Sequence, residues 1–241
     1  MSETRPTFAN PVFCAVDRPD LDGAIDLVRV LQPHLGGIKL GLEFFTAQGP
    51  DGIRRMGGLG LPIFLDAKLH DIPNTVAGAM RGVVGLPVAM VTLHAAGGSA
   101  MMRAAVEIAD ASARRPLVLA VTVLTSLDEG DLVATGQRGT ATEQALRLAE
   151  LALAAGCHGI VCSPMEVAVM RREFGGVPRL VVPGVRPNSR QDDQKRTLDP
   201  AEAVGAGADI VVIGRPITAE PDPAAAALAI RASLDGVAGA A

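Results

Sequence analysis

Short apolar runs alternate along the chain with longer stretches in which apolar and polar positions recur at a helical period. The runs are Val12–Val16, Gly37–Gly41, Leu61–Ala67, Val88–His94, Leu117–Leu124, Gly159–Cys162, Leu180–Val182 and Ile210–Ile213. Most are continuous Val, Ile and Leu stretches, the pattern of parallel strands covered on both faces. The amphipathic stretches are Leu21–Leu31, Thr75–Val84, Ala100–Ala113, Glu143–Ala155, Pro164–Arg172, Ala201–Gly205 and Pro223–Leu234. Thr142 and the Ser163-Pro164 pair are expected helix starts. Eight strand candidates alternating with about eight helices predict an α/β fold, a (β/α)₈ TIM barrel. A doubly wound sheet competes with it. That fold usually has a Gly-rich first strand-to-helix turn, whereas the first run here ends in Val16-Asp17-Arg18-Pro19. No linker or shift of composition divides the chain. Residues 1–241 are therefore expected to form a single barrel domain, with about 1–10 as an N-terminal extension and about 236–241 as a frayed C-terminus.

Composition narrows the function. The chain is 49% hydrophobic and 20% charged, enough to bury a substantial core. It has no Trp or Tyr and only six Phe, which argues against a surface on which nucleic-acid bases stack. A net charge of -4 argues against nucleic acid or an anionic membrane as partner. No run approaches the roughly 18 apolar residues of a transmembrane helix. The polar start Met1–Asn10 lacks an apolar signal core, and Cys14, Cys157 and Cys162 show no disulfide framework. Together these features point to a cytoplasmic protein with reduced thiols.

One stretch stands out against this background. The run Leu61–Leu65 leads into Asp66, Lys68 and Asp71, three charged groups in six residues. On a strand, Phe64, Asp66 and Lys68 share a face, as do Phe13, Ala15 and Asp17. Buried charges are costly unless paired, so such a cluster at a strand tip points to a function. Asp17, Lys39, Asp66 with Lys68, His94, Thr125, Ser163, Arg186 and Arg215 all follow or end strand candidates. In a barrel those ends form one mouth, where active sites are built. Pro183-Gly184-Val185-Arg186-Pro187 and Ile213-Gly214-Arg215-Pro216 close the last two strands, where phosphate sites are common. Gly184 and Gly214 would let backbone approach a phosphate, and the two Arg would bind it. The polar segment Asn188–Lys195 is expected to be mobile when the site is empty and to close over a ligand. His94 is expected to shape the rim by a local hydrogen bond. The His and Cys residues show no metal-ligand spacing, and no cofactor motif is present.

Asp66-x-Lys68-x-x-Asp71-Ile72-Pro73-Asn74-Thr75 is the most specific of several motifs that resemble the orotidine 5'-phosphate decarboxylase family, in its short bacterial form. Lys39-Leu40-Gly41, His94-Ala95-x-Gly97-Gly98, Val121–Ser126, Pro183–Pro187, Asp193-Gln194-x-Arg196 and Ile213–Pro216 carry the same resemblance, which spans nearly the whole chain. It implies a TIM barrel that converts orotidine 5'-monophosphate to uridine 5'-monophosphate and carbon dioxide, the last step of de novo pyrimidine synthesis. It also implies a homodimer with shared active sites and no metal or organic cofactor. By the same resemblance Lys39, Asp66 and Lys68 form the charged array, while Asp71 and Thr75 reach into the partner subunit's site. Asp17 and Lys39 would hold the ribose and Thr125 the pyrimidine, while Arg186, Gln194, Gly214 and Arg215 would hold the phosphate. A Mg²⁺-dependent sugar-phosphate decarboxylase or aldolase group shares the Asp-x-Lys-x-x-Asp signature but has an acidic residue where Lys39 stands. A non-catalytic nucleotide-binding barrel is the other alternative.

Overall fold

The computed structural model describes residues 8–187 and 198–235. Gln194, the segment Asn188–Lys195 and the C-terminal residues 236–241 lie outside them. The strands are β1 (Val12–Ala15), β2 (Gly37–Leu40), β3 (Ile63–Leu69), β4 (Met90–His94), β5 (Leu117–Val121), β6 (Gly159–Val161), β7 (Arg179–Pro183) and β8 (Ile210–Ile213). All neighbours pair parallel in chain order, and β1 pairs with β8 to close the barrel.

Inward and outward faces divide the core in two. Phe13, Ala15, Phe64, Met90, Leu117, Leu119, Val181, Ile210 and Val212 fill the barrel interior. The opposite faces, with Cys14, Ile38, Leu65, Val91, Ile160, Val182 and Val211 among them, pack under the helices. This is the period-2 alternation of a strand buried on both sides. Phe8 packs against the interior cluster, its ring edge-on to Phe13 at 5.2 Å. Phe8, just ahead of β1, therefore helps close the barrel floor.

The helices α1 (Leu21–Leu31), α2 (Leu42–Gly57), α3 (Pro73–Val83), α4 (Gly98–Ala111), α5 (Glu129–Ala134), α6 (Ala141–Ala154), α7 (Val167–Phe174), α8 (Pro200–Gly205), α9 (Arg215–Thr218) and α10 (Pro223–Leu234) cover the strands. Helix α2 escaped the periodicity analysis because Gly49-Pro50 interrupts it: Gly49 is left-handed at φ 58°, and the helix kinks there. The cap of helix α6 lies two residues before the expected Thr142. Thr140 is its cap: its hydroxyl accepts from the Glu143 amide, and the Glu143 carboxylate accepts from the Thr140 amide.

The three cysteines are buried and free. Burial pushes Cys14 and Cys157 up to about 12, so both are held as unreactive thiols.

The expected helix start at Ser163 is a capping box at the exit of β6. Glu166 accepts from the Ser163 amide at 2.9 Å, and the Ser163 hydroxyl accepts from the Met165 amide at 3.2 Å. Burial pushes the Glu166 carboxyl up from 4.5 to about 7, against the opposing effect of the Ser163 amide. A raised carboxyl keeps its proton in the folded protein at a pH where the unfolded chain has lost it. Stability from this group is therefore full below about 4.5, falls as pH rises to about 7, and is flat above. Glu166→Gln removes the titration. Chemical denaturation from pH 4.5 to 7.5 should show the variant gaining on the wild type by up to about 3 kcal/mol. A constant difference across that range would contradict the assignment.

Candidate active site

The inward rows of the strands change character toward the C-terminal mouth. Phe13 and Ala15 lead to Asp17, Phe64 to Asp66, and Met90 to Thr92 and His94. The charged groups meet there. Lys39 Nζ lies 3.0 Å from Asp17 Oδ1 and 3.9 Å from Asp66 Oδ2, and Lys68 Nζ lies 2.7 Å from the same Asp66 oxygen. One carboxylate oxygen thus faces two ammonium groups. The Lys39 and Asp66 side chains are each 13% exposed and that of Lys68 is 28% exposed, so these charges attract more strongly than they would at the open surface. Asp66 Oδ1 accepts from the Thr92 hydroxyl at 2.9 Å.

Local irregularities aim these groups. Between the Leu65–Val91 and Leu69–Leu93 pairs, β3 advances four residues while β4 advances two. Lys68 sits in that bulge with φ 50°, a left-handed backbone rare for a residue with a side chain. Its amide donates to Thr92 Oγ1 at 2.9 Å. Gly41 makes room for the first ion pair, since a Cβ there would meet Lys39 Nζ at 2.8 Å and Asp17 Oδ1 at 3.1 Å. Sequence reasoning assigned Thr92 no role. The available signal was a hydroxyl on the inward parity of a strand, two residues before His94.

The array opens onto a cleft of about 260 Å³ whose walls include Lys39, Asp66, Lys68, Thr125 and Val212. Lys39, Pro183 and Val212 are shared with an outer cleft of about 540 Å³ lined by Asp17, Gly184, Arg186, Gly214 and Arg215. Of the residues singled out in the sequence, Asp17, Lys39, Asp66, Lys68, Thr125, Arg186, Gly214 and Arg215 therefore line two adjoining spaces. Gly184 has φ 78°, a conformation that favours glycine. Gly214 caps α9, and a Cβ there would make ordinary contact with Ala15 at 3.5 Å, so packing within the chain does not require glycine. The Arg186 amide donates to the Leu198 carbonyl at 3.0 Å, which brings the two flanks of segment 188–197 together.

Asp71 and Thr75 stand apart from the array. Both are exposed, and Asp71 Oδ1 accepts from the Ile72 amide at 2.6 Å. Among the described residues the ion pairs of the array join Asp17, Lys39, Asp66 and Lys68, and not Asp71. Ile72 between them is 66% exposed. His94 is half-buried against His70, with ring centroids 5.5 Å apart. Burial, then the His70 ring and the Lys68 ammonium, lower the His94 pKa below 6.5 against the pull of Asp66, so its ring is neutral at neutral pH. Among the described residues no group of three or more His, Cys, Asp or Glu is arranged to hold a metal ion. No helix among them is long and apolar enough to cross a membrane.

Comparison with known proteins agrees with this geometry. The family model described as Orotidine 5'-phosphate decarboxylase / HUMPS family matches residues 10–230. An orotidine 5'-phosphate decarboxylase of Paramagnetospirillum magneticum is 53% identical over 231 residues, covering 93% of this chain and 98% of the relative. One from Sphingopyxis alaskensis is 52% identical over 226 residues, covering 93% and 99%. The crystal structure of orotidine 5'-phosphate decarboxylase from Lactobacillus acidophilus superposes with a TM-score of 0.83 at 34% identity, covering 94% of this chain and 99% of that one. By sequence along nearly its whole length, and by the barrel that carries the Lys39–Asp66–Lys68 array, the chain belongs to the orotidine 5'-phosphate decarboxylase / HUMPS family.

Proposed function

We propose that this protein decarboxylates orotidine 5'-monophosphate to uridine 5'-monophosphate and carbon dioxide, a step of pyrimidine biosynthesis in the cytoplasm. The observation that carries this reading is the Asp66 carboxylate oxygen lying 2.7 Å from one ammonium and 3.9 Å from another at the floor of the cleft. Breaking the bond between C6 and the carboxylate leaves the electron pair on C6, where the ring delocalises it poorly. The Lys68 ammonium stabilises that developing charge and donates the proton that forms the new C6–H bond. Solvent then returns a proton to Lys68. Positive charge held in place before the reaction needs no reorganisation during it. The array supplies this charge itself, so the reaction as written needs no metal or organic cofactor. Lys39, with an ammonium where the Mg²⁺-dependent group carries an acid, favours the same reading.

The joined clefts support the remaining assignments. Asp17 and Lys39 hold the ribose hydroxyls between the two spaces, and Thr125 faces the pyrimidine. Gly214, Arg186 and Arg215 hold the phosphate, joined by Gln194 from segment 188–197. Phosphate binding far from C6 supplies energy for loop closure and orientation at the reacting carbon. The closed barrel from β1 to α10 supports taking the whole chain as one catalytic domain. We also read the protein as a homodimer in which Asp71 and Thr75 complete the partner's site. The exposed Ile72 beside Asp71, and the absence of Asp71 from its own chain's ion-pair array among the described residues, support that assignment.

Two experiments test this. Lys68→Ala should lower kcat on the order of 10⁴-fold while the variant folds and still binds uridine 5'-monophosphate. Near-normal turnover in that variant would contradict the mechanism. Mixing inactive Lys68→Ala with inactive Asp71→Ala, under conditions of subunit exchange, should restore about a quarter of wild-type activity, because half of the dimers then carry one complete site. If Asp71 served its own chain, the mixture would stay inactive.

A further inference from the structure

We propose that Thr92 is a positioning residue for this reaction: its hydroxyl ties the backbone of Lys68 to the carboxylate of Asp66. The proposal rests on the functional reading above and goes beyond it, because Thr92 lines neither cleft and has no direct route to the substrate. Thr92 is completely buried. Its hydroxyl accepts from the Lys68 amide at 2.9 Å and donates to Asp66 Oδ1 at 2.9 Å. Neither bond can run the other way. An amide only donates, an ionised carboxylate only accepts, and a hydroxyl has one proton. The proton on Thr92 Oγ1 therefore has a single place to go.

Each bond fixes something the chemistry uses. The β3 bulge takes the Lys68 amide out of the regular ladder of β4, and the hydroxyl of Thr92 serves as its acceptor. A left-handed, non-glycine backbone persists only where its surroundings hold it, and here one of those holds is a side chain of the next strand. The second bond engages Asp66 Oδ1, which leaves Oδ2 to face both Lys39 and Lys68. Without it the carboxylate can rotate about its last bond, and the Lys68 ammonium loses its fixed place above the ring. The β-branch of Thr restricts its own rotamer on the strand, so this bracket is stiff.

Thr92→Val keeps the shape and removes the hydroxyl, while Thr92→Ser keeps the hydroxyl. Both should be assayed for kcat and KM with orotidine 5'-monophosphate, for affinity toward uridine 5'-monophosphate, and for thermal stability. We expect Thr92→Val to lower kcat by about 10- to 100-fold, with product affinity little changed, and Thr92→Ser to recover most of the loss. Hydrogen exchange at the Lys68 amide should be slow in the wild type and Thr92→Ser and fast in Thr92→Val. A Thr92→Val enzyme with wild-type kcat would overturn the proposal, as would equal losses in Val and Ser. If Val does not fold, Thr92→Ala is read in the same way. Misfolding of both, with Ser unaffected in kcat and Lys68 exchange, would make Thr92 a fold determinant and overturn the proposal too. A wild-type protein that leaves orotidine 5'-monophosphate intact would defeat the functional reading itself, a result distinct from an active wild type beside an equally active Thr92→Val.

Discussion

The mouth of this barrel is organised around a carboxylate that cannot stand alone. Asp66 is withdrawn from water, and an unpaired charge in that position would cost several kcal/mol. It is compensated from three strands: Lys39 on β2, Lys68 on β3 itself and the Thr92 hydroxyl on β4. Those partners meet only if the strands are parallel, adjacent and in this register, with the bulge that turns Lys68 back toward Asp66. Satisfying one buried charge thus constrains strand order, register and local backbone together. In return, two ammonium groups are held in place beside an open cleft before any ligand arrives.

The rest of the mouth extends from that centre. Lys39 belongs to both clefts, and through Asp17 it links the charged floor to the rim. Arg186 and Arg215 line the outer space together with Lys39, so cations are supplied both there and at the charged floor. The Arg186 amide also ties the exit of β7 to Leu198. This division of labour, remote binding at one end and charge stabilisation at the other, is what a reaction through a poorly delocalised carbanion requires.

Most of the architecture was legible because parallel strands covered on both faces leave uninterrupted Val, Ile and Leu runs. All eight runs became strands, and Asp66 with Lys68 announced themselves as charges on the inward parity of one of them. What was missed had physical causes. Helix α2 hides behind a Gly-Pro kink that breaks its period. Thr140 rather than Thr142 caps α6, because the deciding feature is a reciprocal bond with Glu143 and not the hydroxyl alone. Thr92 was invisible because a threonine in a strand is unremarkable until the neighbouring strand's register places it beside Asp66. Asp71 shares a motif with Asp66 but not an ion network among the described residues: it lies beyond the end of β3 and is exposed. Gln194 lies outside the described residues, and its assignment rests on the motif alone.

On the mechanism proposed, the Lys39–Asp66–Lys68 array removes carbon dioxide from a pyrimidine nucleotide with its own charges. The most direct measurement is the ultraviolet absorbance of orotidine 5'-monophosphate mixed with the purified wild-type protein in excess EDTA. Absorbance should fall catalytically, with release of one carbon dioxide per uridine 5'-monophosphate formed and no change on omitting the chelator. Unchanged absorbance, or turnover that requires an added divalent cation, would contradict it.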